Sequence, residues 1–348
     1  MSEIRSIALV GAGVIGTHHG LVVSQLADRL RLAAVVDVHL ERAERLAAAR
    51  GGTPFASLTE ALSTVDVDIV AVCTPTGRHG EVAIEALEAG KHVIVEKPAE
   101  ITAARTDEII DAQRKAGTLV TVISQHRFDP ATETVLAAIG RGDLGRLTSG
   151  IASIDWWRGQ NYYDCGDWRG TWELDGGGAL MNQGVHTVDL LVAAMGRPVE
   201  VFAYTATLAH QRIEVEDVAV GVVRFDSGAL GVLHATTAAN PGLSARLQVH
   251  GDKGSAVIDN DQLVFLETTA GSDSEEQAYG ATSARAVPTA GSDPGQLSDA
   301  HRLQYLNFLA ALDGTEHLRV DLGTNRQSIA VITGVYESAR SGRPVTLS

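Results

Sequence analysis

Gly11, Gly13 and Gly16 follow directly on a short aliphatic run, Ile7 to Val10, and set a GxGxxG loop at the first turn of the chain. Val14 opens an amphipathic stretch reaching about Ala27, and Leu32 to Val36 is a second apolar run ending in Asp37. The order strand, glycine turn, helix, strand, acid is the dinucleotide-binding βαβ pattern. Gly11 permits the tight turn, Gly13 lets the backbone approach a pyrophosphate, and Gly16 lets the helix pack on the strand. The helix N-terminus, with Val14 and Ile15 in its first turn, offers N–H groups and a partial positive charge to the phosphates. Asp37 would accept hydrogen bonds from both hydroxyls of an adenosine ribose. A 2′-phosphate there would meet a like charge, so NAD is expected rather than NADP.

With 348 residues the chain should form two domains. Its net charge of −15 argues against nucleic acid, whose phosphates demand a basic face. A few local arginines could still hold a small anion. Two cysteines, Cys73 and Cys165, cannot build a disulfide framework and suit a reducing cytoplasm. No signal peptide and no run long enough to span a bilayer is visible, so a cytoplasmic protein without a membrane partner is expected.

Residues 1–123 alternate strand-like and helix-like patterns, as a parallel sheet with crossover helices requires. Residues 124–348 have a different rhythm. A helix over Ala131 to Ile139 and a strand over Leu147 to Trp157 precede an aromatic, glycine-rich loop and a helix from about Ala179 to Met195. Strand-like runs follow at Glu200–Leu208, Asp217–Phe225, Ala229–Thr237, Ala245–His250 and Ser255–Ile258. Hairpin signals between them predict an antiparallel sheet with helices on one face, an α+β domain. Thr268 to about Gln296 is poor in large apolar residues and reads as a mobile loop or irregular hairpin. Two helices close the chain.

A nicotinamide domain implies hydride transfer, which needs a group to take the proton of the alcohol. Two isolated cysteines do not supply a zinc-dependent alcohol dehydrogenase, and no metal is expected. No tyrosine is followed by lysine at the Tyr-x-x-x-Lys spacing. Lys, His or a carboxylate remains. Lys97, in Glu96–Lys97–Pro98, lies at the C-terminal end of a strand, where ligands of open α/β sheets bind. Its ammonium can stabilise charge developing on a substrate oxygen. Asn182, His186 and Asp189 fall at i, i+4 and i+7 of the helix after a triple glycine and share one face. A narrow polar stripe on an apolar helix fits a cleft-facing site.

These residues resemble the glucose–fructose oxidoreductase, inositol dehydrogenase and rhizopine-catabolism family over essentially the whole chain. The resemblance rests on the GxGxxG loop, Cys73–Thr74–Pro75 with His79, Glu96–Lys97–Pro98, Gln125 to Pro130, and the GGGxLxNxGxHxxD stretch. It implies a Rossmann domain followed by an α+β domain with an open, mainly antiparallel sheet that builds homodimers or homotetramers. It further implies cofactor contacts from Thr74, Pro75, His79, Glu96, Lys97 and Gln125, with Lys97 and His186 as the catalytic pair. Many inositol dehydrogenase-like members carry aspartate where this chain has Asn182. An amide cannot take up a proton, so Asn182 is expected to bind a hydroxyl. That departure points toward nucleotide sugars or other modified pyranosides, often oxidised at the C3 hydroxyl.

All four tryptophans, Trp156, Trp157, Trp168 and Trp172, lie close together with Tyr162 and Tyr163. Aromatic faces stack on sugar rings, and the forks of Arg158, Arg169 and Arg127 suit carboxylate or phosphate. Trp168, Arg169, Arg158, Arg127, Asn182 and Asp189 are therefore the expected substrate contacts. The expected activity is NAD-dependent oxidation of a secondary hydroxyl of a sugar, sugar derivative or cyclitol to a ketone, or the reverse. Redox-assisted glycoside cleavage and a non-catalytic NAD-sensing regulator are the alternatives.

Overall fold

The computed structural model describes residues 4–166, 168–269 and 294–347. It forms two compact units. The first contains residues 1–125, 173–176 and 292–329, and the second residues 126–172, 177–291 and 330–348. The expected division at 123/124 falls close to the end of the first stretch. The return of two later segments to the first unit has no signal in local periodicity.

In the first unit the elements run β1 (Arg5–Val10), α1 (Val14–Gln25), β2 (Leu30–Val36), α2 (Leu40–Arg50), β3 (Thr53–Phe55), α3 (Leu58–Thr64), β4 (Ile69–Val72), α4 (His79–Glu88), β5 (His92–Val95), α5 (Ala103–Ala116) and β6 (Val120–Val122). The strands form a parallel sheet of order β3-β2-β1-β4-β5-β6, reversing direction of growth at β1/β4. That is the doubly wound arrangement whose ligands bind beyond the strand C-termini at the reversal. β3 and α3 were not anticipated, because so few residues carry no readable period.

Alternate side chains of each strand feed two cores, as the period of two demands. Ala8, Val10, Val70, Val72, Val93 and Val95 pack with Ala83, Leu87 and Ile109 of α4 and α5. Ile7, Leu9, Ile69, Ala71 and Ile94 pack with Val22 of α1, Leu26 just after it and Leu46 of α2. The second core also holds Tyr305, Phe308 and Leu309 of a later helix, Pro294–Leu312. This burial is why the late segment belongs to the first unit.

The second unit contributes α6 (Pro130–Arg141), β7 (Leu147–Asp155), the short α7 (Gln160–Asp164), α8 (Val185–Met195), and β8 to β13 at Pro198–Ala206, Val218–Phe225, Leu230–Thr236, Ala245–Gly251, Gly254–Asp259 and Gln262–Thr268. The late helix of the first unit is α9. It is followed by α10 (Leu322–Ser341), whose residues divide between the units, and by β14 (Val345–Thr346). The sheet order is β13-β12-β11-β7-β10-β9-β8-β14. It is open and mainly antiparallel, but β7 and β10 run parallel, Leu230 opposite Ser149 through Thr236 opposite Asp155. The sheet is therefore mixed, which the hairpin signals alone did not anticipate. β13 pairs with β12 just before the expected loop, whose residues 270–293 lie outside the described residues.

One face of this sheet is covered by α8, which packs on β7 and β11. On β8 to β10, Tyr204 stands opposite Val220, and Val222 opposite Val232; all four are exposed, as is Leu230. Among the described residues no helix is long and apolar enough to cross a membrane.

If α9 is part of the first core, Phe308→Ala should cost roughly 3–5 kcal/mol, because the ring is fully buried. A melting point within a degree of the parent would show that α9 contributes little to that core.

Candidate functional site

The glycine loop distributes its three roles as the motif requires. Gly11 has φ +100°, and a Cβ there would lie 2.5 Å from the Cys73 carbonyl oxygen. A Cβ at Gly16 would lie 1.8 Å from the Gly11 oxygen, so only glycine lets α1 sit this close to the turn. A Cβ at Gly13 would meet nothing within 4 Å. Gly13 is the N-cap of α1 and its helix start has no side-chain cap. The first N–H groups of α1 thus face open space that nothing in the packing requires, which fits a phosphate. Beside them, Asp37 is buried and oriented. Its Oδ2 accepts the Ala12 N–H at 2.8 Å and its Oδ1 the His39 N–H at 2.9 Å. Carboxylate oxygens have further lone pairs for ribose hydroxyls.

Two more buried atoms await partners. Thr74 Oγ1, past the end of β4, and Gln125 Oε1, past the end of β6, make no hydrogen bond among the described residues. Buried polar atoms are rarely left so. Both lie beyond strand C-termini, where the dinucleotide is expected, and the residues fit NAD. His79, expected as a cofactor contact, has both ring nitrogens engaged within the protein. Its ring nitrogens lie 2.8 Å from the carbonyl oxygens of Pro98 and Thr74, so it braces the loops after β4 and β5. Burial lowers its pKa, against the pull of those two carbonyls.

Lys97 is half-buried and its backbone is fixed by Glu96. Glu96 Oε2 accepts the Lys97 N–H at 3.0 Å, and Oε1 lies 2.8 Å from His19 Nε2. His301 Nε2 stands 3.5 Å from the same oxygen, and His19 Nδ1 lies 2.6 Å from the Tyr305 hydroxyl. Burial pushes the Glu96 carboxyl up, but the two imidazoles outweigh it and hold the group well below its ordinary range. Burial lowers His19. Glu96 therefore acts as an internal anchor beneath Lys97, held by His19 of α1. The roles of His19, His301 and Tyr305 were not legible, since α9 lies some two hundred residues away in the chain.

In the second unit, the helix bearing His186 does not start as an α-helix. Ala179–Gly184 forms one π turn before α8. Glu216 caps it: its carboxylate accepts the Gly178 and Leu180 N–H groups, both at 2.8 Å, and the Tyr336 hydroxyl at 3.0 Å. Those N–H groups belong to the helix start, where the helix itself offers them no acceptor. A Cβ at Gly178 would lie 1.7 Å from the Glu216 oxygen, so glycine is required at this approach. Burial raises Glu216 to about 7 against these hydrogen bonds. The face predicted for Asn182, His186 and Asp189 therefore spans the π turn and α8 rather than one α-helix. Asn182 lies in the π turn, with its Oδ1 3.4 Å from Gln183 Nε2. Asp189 instead receives the fork of Arg127, Nε to Oδ2 at 2.6 Å and Nη2 to Oδ1 at 2.7 Å, both groups buried. Two expected substrate contacts thus form a bidentate pair that ties the segment after β6 to α8.

His186 is half-buried and meets His126 edge to face, ring centroids 4.9 Å apart at 82°. His126 Nδ1 lies 2.7 Å from Asp129 Oδ2 and 3.1 Å from Asp261 Oδ1. Burial alone would lower His126, but the two carboxylates outweigh it and push it up to about 10. His126 is a functional candidate that sequence reasoning passed over. It sits inside the quoted Gln125–Pro130 motif, but Asp261 comes from the distant β12–β13 turn.

The aromatic loop keeps Arg158 and Arg169 together. Arg158 lies over the rings of Trp156 (5.0 Å) and Tyr162 (5.5 Å), and Arg169 over Tyr162 (4.8 Å) and Trp168 (4.9 Å). Trp172 is exposed and packs on Tyr336.

A parallel doubly wound sheet, a phosphate-ready glycine loop and a ribose-ready aspartate define an NAD-binding oxidoreductase. Residues 5–124 match the family model described as oxidoreductase family, NAD-binding Rossmann fold, and residues 132–257 match the GFO/IDH/MocA C-terminal domain. The chain belongs to the GFO/IDH/MocA oxidoreductase family. It is 33% identical to the WlbA dehydrogenase of Bordetella pertussis, crystallised with NADH and UDP-GlcNAcA, with a TM-score of 0.86 over 99% of each chain. It is 30% identical over 267 residues to the myo-inositol 2-dehydrogenase of Thermotoga maritima, covering 73% of this chain and 75% of that protein. Against the D-glucoside 3-dehydrogenase of Escherichia coli it is 29% identical, covering 72% and 76%.

His126 gives a pH test. A histidine whose folded pKa lies above its unfolded value adds stability that is complete below about 6.5 and lost as pH rises through about 10. In an NMR titration His126 should stay protonated through neutrality, and Asp261→Asn should bring its midpoint down by about one pH unit or more. A midpoint near 6.5 in the parent would refute the clamp.

Proposed function

We propose that this protein is an NAD-dependent dehydrogenase that oxidises a secondary hydroxyl of a sugar ring, with a nucleotide-linked sugar or sugar acid as the substrate class and C3 as the carbon. The observation that carries the reading is the retention of both Lys97, anchored through Glu96, and His186, on the helix shaped by Glu216. The similarity to WlbA, crystallised with UDP-GlcNAcA, and the amide at Asn182 support the nucleotide-sugar class over a plain cyclitol.

NAD would be held by the α1 N-terminus at Gly13, Val14 and Ile15, by Asp37, and by Thr74, Pro75 and Gln125. When bound, it supplies the acceptor for the hydride leaving the alcohol carbon. Lys97 donates a hydrogen bond to the alcohol oxygen and offsets its developing negative charge. His186 accepts the hydroxyl proton. For that it must be neutral; the ring of His126 lies at its edge. Asn182 binds a neighbouring hydroxyl. The Arg127–Asp189 pair holds the helix in register rather than touching substrate.

We further propose that the exposed apolar face of β8 to β10 is covered by a second copy of the chain, giving a homodimer or homotetramer. Val222→Glu should then shift the mass measured by light scattering toward the monomer; an unchanged mass would remove this face from the assembly.

The main test is NADH formation over UDP-GlcNAcA, UDP-GlcNAc, glucosides, sugar acids and myo-inositol. Lys97→Ala and His186→Ala should each lower kcat by about 10²–10⁴-fold while NADH binding is retained. Near-normal turnover in either variant, or no oxidation across the panel, would overturn the assignment.

A further inference from the structure

We propose that Arg158 and Arg169 form a binding site for the anionic group of the substrate, a carboxylate or phosphate; this deepens the dehydrogenase reading and rests on it. In this chain of net charge −15, several arginines of the second unit face carboxylates: Arg127 faces Asp189, Arg212 faces Asp164, and Arg224 faces Glu200. Among the described residues Arg158 and Arg169 face none. Among the described residues no ion pair forms at either guanidinium, although both are half-buried. Two adjacent, partly dehydrated positive charges without a counter-charge are costly unless something supplies one.

Their setting holds them open for an anion. Trp156, Arg158, Tyr162, Arg169 and Trp168 alternate ring and guanidinium, each contact 4.8 to 5.5 Å from charge centre to centroid. A guanidinium held over an aromatic ring can still present N–H groups to a planar acceptor. Few of those edges have strong partners. Arg158 donates to Gln183 Oε1 at 3.0 Å and, at 3.4 Å, to the Trp157 carbonyl. Arg169 Nη1 meets only a weak acceptor, Cys165 Sγ at 3.0 Å, and its buried Nε has no partner among the described residues.

The stack is also fastened to the catalytic helix within the same unit. Gln183 accepts from Arg158 and donates to the Tyr162 hydroxyl at 2.9 Å, and it follows Asn182 in the π turn that precedes His186. An anion bound to the two forks would therefore be registered against the residue expected to take the proton. The carboxylate of a sugar acid and the diphosphate of a nucleotide sugar share this chemistry.

The test compares the parent with Arg158→Gln, Arg169→Gln and Arg169→Lys, the last keeping charge but losing the fork. Steady-state kinetics use UDP-GlcNAcA, UDP-GlcNAc, glucuronate and neutral myo-inositol. Calorimetry measures UDP-GlcNAcA binding to the NADH-loaded protein without turnover, and NADH affinity with a melting curve verifies folding. Each Gln variant should weaken anionic ligands by about tenfold to a hundredfold relative to the neutral one, with Lys intermediate. Loss confined to glucuronate and UDP-GlcNAcA assigns the carboxylate; loss extending to UDP-GlcNAc assigns the diphosphate. Binding of UDP-GlcNAcA that depends on both arginines, without any NADH formation, would sustain this site while the dehydrogenase reading fails. An unchanged anionic-to-neutral ratio in all variants, or no binding of any anionic probe to the parent, would sink it.

Discussion

A carboxylate buried beneath a strand end must be matched from several directions, and Glu96 is matched by α1, by its own backbone and by α9. His19 and His301 approach one oxygen and the Lys97 N–H the other. Removing a partner would leave charge in an apolar core, which costs far more than an ordinary contact. This constraint explains why a helix late in the chain packs into the first core, with Tyr305 bonded to His19. It also explains why the backbone at Lys97 is held firmly while its side chain can engage a ligand.

The second unit solves a parallel problem with two buried acidic groups. Glu216 takes the first N–H groups of the helix that carries His186, and Asp189 on the same helix takes the fork of Arg127. Start and middle of the helix are each pinned by a charge with little freedom to move. The proposed role of His186 would need that kind of support, since an error of an ångström in its placement costs rate. The ring of His126 meets that imidazole edge to face.

Family membership follows from both domain matches and from relatives that align over most of the chain. The relatives act on different ring systems, so specificity must come from side chains that vary on a shared frame. In this chain the loop after β7 concentrates aromatic and guanidinium groups, and the turn before α8 carries an amide. Under the proposed function, those are the positions that would carry substrate choice.

The amino-acid sequence by itself determined the parallel first sheet, the roles of the three loop glycines, Asp37 at the end of β2, and Lys97 at the end of β5. Each of these is local: a period, a turn requirement, or a residue at a strand end. It also marked His186, Asn182 and the aromatic loop. Only the tertiary structure decided that Arg127 and Asp189 pair with each other, that a π turn separates Asn182 from His186, and that His79 braces two loops. It alone brought Asp261 to His126 and His301 to Glu96. Those outcomes depend on which buried charges meet across long stretches of chain, and the pairing of charges leaves no periodic trace in the order of residues.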